Sequence, residues 1–544
     1  MRKITKRQFD AFCYSRQPLI RVLAQEVAWF EAFNKKILGT VTFDRTDYDF
    51  GYVILGRDSR KMFRCLEVSA EFHSTVEQAA ASLAACIKKY EFDGHDLFPQ
   101  GDEREAPNEI FKPVVPYNKL HRYFSILISE PRFEAARNLI REIVYSYKDP
   151  DGHYIREFQT NGFDARLWEM YLYVYLYDEG FEFVRGNVAP DFHISSFGDD
   201  CFIEAVTVNP SQDPKRPDPP LPAQSEEVLN LTNDYLPIKY GSPLFSKLNK
   251  RYWEKEHVKG KPLILAIHDY HMPGSMTWSR TALSEYLFGV RARLVLDEQG
   301  KDKAVIETIQ EHRWEGKTIP SNFFEQADTE NISAVLFSNA ATITKFNRMG
   351  KLAGLGSADV KMIRKGFLFN PDPAALRPTE FAIDVDDPEY EESWSDSIVM
   401  YHNPNAKKPV DPNWFPSITH IWFDKEEKTF RGFHQPYDVL TSITVVVTTT
   451  GTTSHDPTLR SRGRAKSGAP LSLVVRLHEE LALKPSIVSG LSAVLGSLSG
   501  GGASIVTAWF TQRAQSQREA VHAEIRKREL VYTEFISECS KLAI

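Results

Sequence analysis

From Met170 to Tyr177 the chain reads MYLYVYLY, an unbroken apolar run with no charge or amide. A helix that is hydrophobic around its whole circumference must be buried on most sides. Its neighbours therefore have to bring apolar surface to several faces at once. Asp164, six residues upstream in FDARLWEMYLYVYLYDEGFEFV, is the expected N-cap. Short β-type runs follow, FEFV, APDFHI and CFIEAVTVN, the last two joined by the loop SSFGDD.

Downstream, DPKRPDPPLPAQ holds too much proline to continue a sheet and is expected to be a surface loop. Gly241-Ser242-Pro243 is expected to cap a helix running through LFSKLNKRYWEKE, with proline at the first helical position. A strand PLILAIHDYH, a helix near TALSEYLFG and a strand ISAVLFS complete an alternating α/β order between residues 116 and 345.

Three acids stand out in this region. Glu169 directly precedes the apolar run, Asp191 follows Pro190, and Glu204 interrupts the otherwise apolar FIEAVTV. A carboxylate within a buried strand is costly unless a cation or hydrogen-bond donors meet it. An acid on a first helix, Pro-Asp on a strand and an acid on the next strand resemble the PD-(D/E)XK restriction-endonuclease-like nuclease superfamily. The resemblance spans about residues 165 to 270.

The resemblance implies a mixed sheet flanked by helices, with Asp191 and Glu204 holding a divalent metal, Mg2+ or Mn2+, and Glu169 assisting. Hard oxygen ligands suit such an ion, and two carboxylates leave positions for water and substrate. It also implies a metal-dependent DNA nuclease that hydrolyses phosphodiesters. Residues two apart on a strand share a face, so position 206, where the superfamily has a lysine, points with Glu204. This chain has Val206 there. A positive charge would then have to come from another element, and Lys247 and Lys250 on the following helix are the nearest candidates, with Thr207 and Asn209 as weaker polar substitutes. Val206 also keeps a second reading open, a catalytically silent nuclease fold acting as a binding or scaffold protein, membrane-associated through its tail.

Other signals carry less. His268, Asp269 and His271 could ligate zinc, but without a further ligand they read as a hydrogen-bonded strand end. Lys345 to Lys365 holds Lys345, Arg348, Lys351, Lys361, Arg364 and Lys365 against Asp359. In an acidic chain that stretch is a candidate contact for DNA phosphates, set against a solvated loop and helix face. Gly350, Gly354 and Gly356 read as turns, since no Gly-Lys-Ser/Thr follows. The acidic run Asp384 to Asp396 reads as solvated surface, and HNPNA at 402–406 as turn chemistry.

Helical spacing over residues 4–35 (Phe9, Phe12, Leu19, Val22, Leu23, Val27, Phe30) predicts one or two opening helices. ILGTVTF, YVILG and MFRCLEVSAEF predict a β-meander, and Ser74 to Lys89 an Ala-rich helix. The expected organisation is a small α+β domain at 1–115, a nuclease-like α/β domain at 116–437, a Thr/Ser/Gly/Arg-rich linker at 438–484 and a helical tail at 485–544.

Charge divides along the same line. The whole chain carries −7, but residues 441–544 hold 12 basic and 8 acidic side chains. A fusion or shifted reading frame is an alternative origin for this last hundred residues. Residues 485–512 carry no charge over 28 residues. That length could meet or cross a bilayer, although Ser and Gly weaken insertion. The basic amphipathic end resembles the single-span basic tails of small bacterial membrane proteins. Five scattered cysteines with no C-x-x-C pair, and an N-terminus without an apolar run, favour a cytoplasmic protein.

Overall fold

The protein is described by a computed structural model covering residues 1–448, apart from 19–23, 92–94, 105, 148, 150–151, 197, 221, 223–224, 297, 301, 373–374 and 376–377. The expected linker beyond 448 and the tail at 485–544 lie outside the described residues, as do Leu19, Val22 and Leu23.

The chain opens with β1 (Arg2–Ile4), α1 (Lys6–Asp10), β2 (Ala24–Ala32), β3 (Ile37–Asp44), β4 (Phe50–Arg57), β5 (Phe63–Val68) and α2 (Val76–Ile87). The five strands pair in sequence order as one antiparallel sheet. The expected meander is present, and α2 starts at Thr75, whose hydroxyl accepts from the Gln78 amide. The opening segment departs from expectation, because Val27 and Phe30 lie on a strand and not a helix. Val27 falls at an irregularity in the β2–β3 register, which breaks the period-two alternation that would have marked the strand.

Four helices follow, α3 (Arg122–Ser129), α4 (Glu134–Ser146), α5 (Tyr154–Gln159) and α6 (Phe163–Glu179). Then come β6 (Glu182–Phe183), β7 (Phe192–Ser196), β8 (Asp199–Val208), α7 (Ser225–Asn230), α8 (Leu236–Leu248), β9 (Leu263–Asp269) and α9 (Arg280–Phe288). The hairpins β10 (Val290–Leu296) with β11 (Asp302–Thr308), and β12 (Glu311–Trp314) with β13 (Lys317–Pro320), precede β14 (Ala334–Ser338) and α10 (Ile343–Leu352). The remaining strands are β15 (Val360–Leu368), β16 (Thr379–Asp384), β17 (Ile398–His402), β18 (Thr419–Asp424), β19 (Thr429–Phe433) and β20 (Val439–Thr448).

A mixed eight-stranded sheet runs β19-β18-β17-β14-β9-β8-β7-β6. Within it β8, β9 and β14 are mutually parallel, while β6, β7 and β8 form an antiparallel meander. The apolar run lies in α6, where every residue from Leu167 to Tyr177 is buried. It packs on the face of the sheet carrying Ile203, Ile264 and Leu336, and the Trp168 indole N–H donates to the Ala266 carbonyl at 2.9 Å. That bond joins a central strand to the helix and removes the polar cost of burying tryptophan. Gly162, not Asp164, is the N-cap of α6; Asp164 sits in its first turn. Gly180 ends the helix at φ +89, a left-handed position suited to a residue without a Cβ.

The other face carries Phe202, Val206, Leu265 and Ile267 under α8 and α9. Gly241-Ser242-Pro243 lie inside α8 and do not start it; the proline of the first turn is Pro237. A π-helical turn at Leu231–Tyr235 leads directly into α8, so the helix is already running when Pro243 is reached. Residues 439–448, assigned to a linker by composition, form β20, paired with β15 over its whole length. The β-branched run ITVVVT suits a strand. Gly350 is helical and not a turn: a Cβ there would lie 2.4 Å from the Ala135 carbonyl oxygen, so glycine lets α10 approach α4. Gly354 and Gly356 do sit at positive φ. No helix among the described residues is long and apolar enough to cross a membrane.

Candidate active site

The meander stops short at the place where the acids gather. β7 begins at Phe192, opposite Ile203, so from Glu204 onward β8 has β9 on one side and no β7 partner on the other. Asp191, the residue before β7, covers the first part of this opening with its side chain: its Oδ2 accepts the Ala205 amide at 2.8 Å. In return, the Asp191 amide donates to Glu204 Oε2 at 3.3 Å. Side-chain alternation sends Glu204 to the α8 face, while Glu169 arrives from α6 on the opposite face. Glu169, Asp191, Val206, Thr207 and Lys247 line a recess of about 220 Å³ at this strand edge.

Each acid has a distinct environment. Glu204 is 3 % exposed; its Oε1 takes the Lys247 ammonium and the Tyr252 hydroxyl at 2.7 Å. Burial, and then this hydrogen bond, push the Tyr252 phenol far above its usual range, so it stays a donor. Glu169 Oε2 accepts from Arg166 at 2.6 Å, and Arg166 also holds Glu157. Burial, then the charge of Asp191, raise Glu169 to about 8 against the pull of Arg166. Asp191 opens to solvent on one side, yet the surrounding protein and then the Glu204 charge push its carboxyl up to about 6. Negative charge thus exceeds what Arg166 and Lys247 neutralise, and the recess favours a proton or a further cation.

Val206 is buried in the α8-side core at 2 % exposure, so position 206 offers no charge. The cation beside Glu204 comes instead from Lys247, on the last turn of α8. Lys250 lies beyond the end of α8, is exposed and does not line the recess. Thr207 lines it, and its hydroxyl accepts from Asn209 Nδ2. Sequence alone does not single out Tyr252: at helical spacing from Leu244 and Leu248 it reads as part of an apolar stripe, which hides the hydroxyl at its tip.

The carboxylate oxygens are unequally engaged: both oxygens of Glu204 are taken, Oε1 by Lys247 and Tyr252 and Oε2 by the Asp191 amide. Asp191 Oδ1 and Glu169 Oε1 accept no hydrogen bond among the described residues, while the second oxygen of each is fixed by the Ala205 amide or by Arg166. Among the described residues, no group of three or more His, Cys, Asp or Glu side chains is placed to hold a metal ion. An ion that retains several waters needs only one or two carboxylates.

The other sequence candidates fall elsewhere. His271 Nδ1 pairs with Asp269 Oδ1 at 2.6 Å, and His268 Nε2 accepts the Ala341 amide at 3.0 Å, so these residues form a hydrogen-bonded strand end. Within the basic stretch, Lys345, Arg348 and Arg364 are buried around Glu392. Lys361 and Lys365 remain exposed, which leaves fewer cations for phosphates than composition implied. Glu392 is likewise not part of a solvated acidic surface, being 2 % exposed. At 402–406, Asn403 Oδ1 accepts the Asn405 amide in the expected turn.

The raised carboxyls carry a testable pH dependence. An unfolded Glu ionises near pH ~4.3, whereas folded Glu169 holds its proton to about 8. Between these values the native state binds more protons than the unfolded state, so stability contributed by this group falls as pH rises. In thermal melts without divalent metal, Glu169→Gln should lose less stability than wild type between the two values, by a few kcal/mol at most. Parallel pH profiles would contradict this.

No family model, curated protein or solved structure matches the chain.

Proposed function

We propose that the chain is a divalent-metal-dependent DNA nuclease of the restriction-endonuclease-like type, acting through Asp191, Glu204 and Lys247 with Glu169 in support. The observation that carries the reading is the meeting of Asp191, Glu204 and a lysine at one interrupted strand edge, with the lysine delivered by α8 in place of Val206. The order α6, β6, β7, β8, α8, β9 with a β6–β8 meander and a parallel β8–β9 pair also supports it.

Asp191, through its free Oδ1, and Glu204, by giving up one of its present donors, would hold Mg2+ or Mn2+, with the free Glu169 Oε1 in support. Such an ion supplies charge neutralisation at the phosphodiester and a more acidic water. The Lys247 side chain, 30 % exposed at the recess wall, would place its ammonium to orient an attacking water or balance the phosphorane's charge. Tyr252 fixes the Glu204 carboxylate from the protein side. Arg166 orients Glu169.

The test is cleavage of plasmid and single-stranded DNA with magnesium or manganese. Lys247→Met should lower the rate by about 10²–10³-fold while sparing fold and metal affinity, and Lys250→Met should leave it unchanged. Full activity in Lys247→Met would remove the lysine from the reaction. Absence of cleavage by wild type across metals and DNA forms would favour the silent binding or scaffold fold, to which Val206 points.

A further inference from the structure

A second, larger recess of about 440 Å³ adjoins the carboxylate site, and the two share Thr207 and Pro243 as a common wall. It forms where β8 ends: Asn209 and the proline-rich loop make one side, α8 another, and the β12–β13 hairpin projects Trp314 and Lys317 into the third. The volume is in the range of small-molecule sites, about 300–1,000 Å³.

The charges lining it are unequally satisfied. Asp218 is consumed within the wall, accepting from Lys239 at 2.8 Å, the Tyr235 hydroxyl at 2.6 Å and the Ser211 amide at 2.7 Å. Lys317 is half-buried, and among the described residues its ammonium meets only the Ser242 hydroxyl, at 3.0 Å. Neither Lys317 nor Arg216 has a carboxylate partner among the described residues; Asp213 and Glu315 stand on the exposed rim. Burial first, and then the like charges of Arg216 and Lys239, lower the Lys317 pKa. An anion between Lys317 and Arg216 would relieve that repulsion. Beside them Trp314 and Tyr235 have ring centroids 5.4 Å apart at 57°, and Trp314 is half-exposed. Two unpaired cations beside an accessible indole match a phosphate joined to a base.

We infer that this recess binds one unpaired nucleotide of a single DNA strand next to the bond to be cut, with its phosphate on Arg216 and Lys317 and its base stacked on Trp314. The inference rests on the nuclease reading for its position along the strand. A stacked, unpaired base makes the protein select single strands or frayed ends over blunt duplex.

The test uses the full chain with a short fluorescein-labelled oligodeoxythymidylate in EDTA, so that binding is read without cleavage. Lys317→Met and Arg216→Met should each weaken binding about fivefold to tenfold and reduce the salt slope by about one. Trp314→Ala should weaken it about tenfold for the single strand and leave blunt duplex unaffected, with Trp314→Phe and Lys317→Arg restoring most of the loss. Unchanged affinity in all three variants, an equal Trp314→Ala loss on duplex, or no binding by wild type would overturn the inference. Wild-type cleavage with inert recess variants would reject the recess and keep the nuclease. Nucleotide binding lost in the variants, with no cleavage under any metal, would keep the recess and reject the nuclease.

Discussion

Replacing Asp191 with Asn and Glu204 with Gln together should abolish manganese and magnesium binding in calorimetry and lower DNA cleavage by about three orders of magnitude or more. The two side chains reach the opened edge of β8 from adjacent positions, Asp191 with one oxygen anchored by the Ala205 amide and Glu204 with both held by backbone or side-chain donors. Amides in their place preserve shape and most hydrogen bonds while removing both charges. The fold should survive, because Lys247 is partly exposed and can solvate when Glu204 loses its charge. Undiminished metal affinity in the double variant would remove this recess as the metal site, and circular dichroism on the same sample separates loss of site from loss of fold.

The largest effect on stability is expected at Glu392, far from that edge in function. Its carboxylate receives Lys345 at 2.8 Å, Arg348 at 2.8 Å, Arg364 at 3.1 Å and the Tyr390 hydroxyl at 2.6 Å, all buried. Among the described residues, Glu392→Gln would leave three buried cations with only Asp396, 3.4 Å from Arg364, as nearby counter-charge. Breaking a buried pair by removing one partner costs about 3–5 kcal/mol, and this change should reach at least that range in urea unfolding. Lys345→Met should cost less, since two arginines still balance the acid.

The acid limb gives an independent check. Burial alone would raise the Glu392 pKa, but Arg348, Arg364 and Lys345 hold it well below the usual carboxylate value. A depressed carboxyl contributes stability that is complete above its unfolded pKa and is lost as pH falls toward the folded value. Glu392→Gln should therefore show a shallower loss of stability below pH ~4 than wild type. Equal acid slopes, or destabilisation under about 1 kcal/mol, would show that the cluster is not the structural keystone its burial implies.

Elements whose signal is local could be read directly from the chain. The β-meander at 37–68, the Ala-rich helix, the all-round apolar helix 163–179 and the strand bearing Glu204 follow from periodicity and turn residues, and each recurs in the fold, while the strand expected to carry Asp191 starts one residue after it, at Phe192. The acids were conspicuous because a charge in an apolar strand demands a partner. Which partner arrives is a property of packing. Lys247 and Lys250 are three residues apart on one segment, yet α8 ends at Leu248, so one lysine lies against β8 and the other turns into solvent. Likewise, Tyr252 is apolar by spacing and polar by contact, and Val27 is helical by spacing but strand by pairing.

Long-range pairing accounts for the remaining differences. The 439–448 segment looks like a linker until β15, some eighty residues earlier, supplies its ladder. Lys345, Arg348 and Arg364 look like a phosphate-binding stretch until Glu392 enters from a run of acids that itself looks solvated. Hydrophobic periodicity records which face a residue presents within its own element, whereas charge compensation and strand pairing depend on partners brought together only when the chain closes on itself.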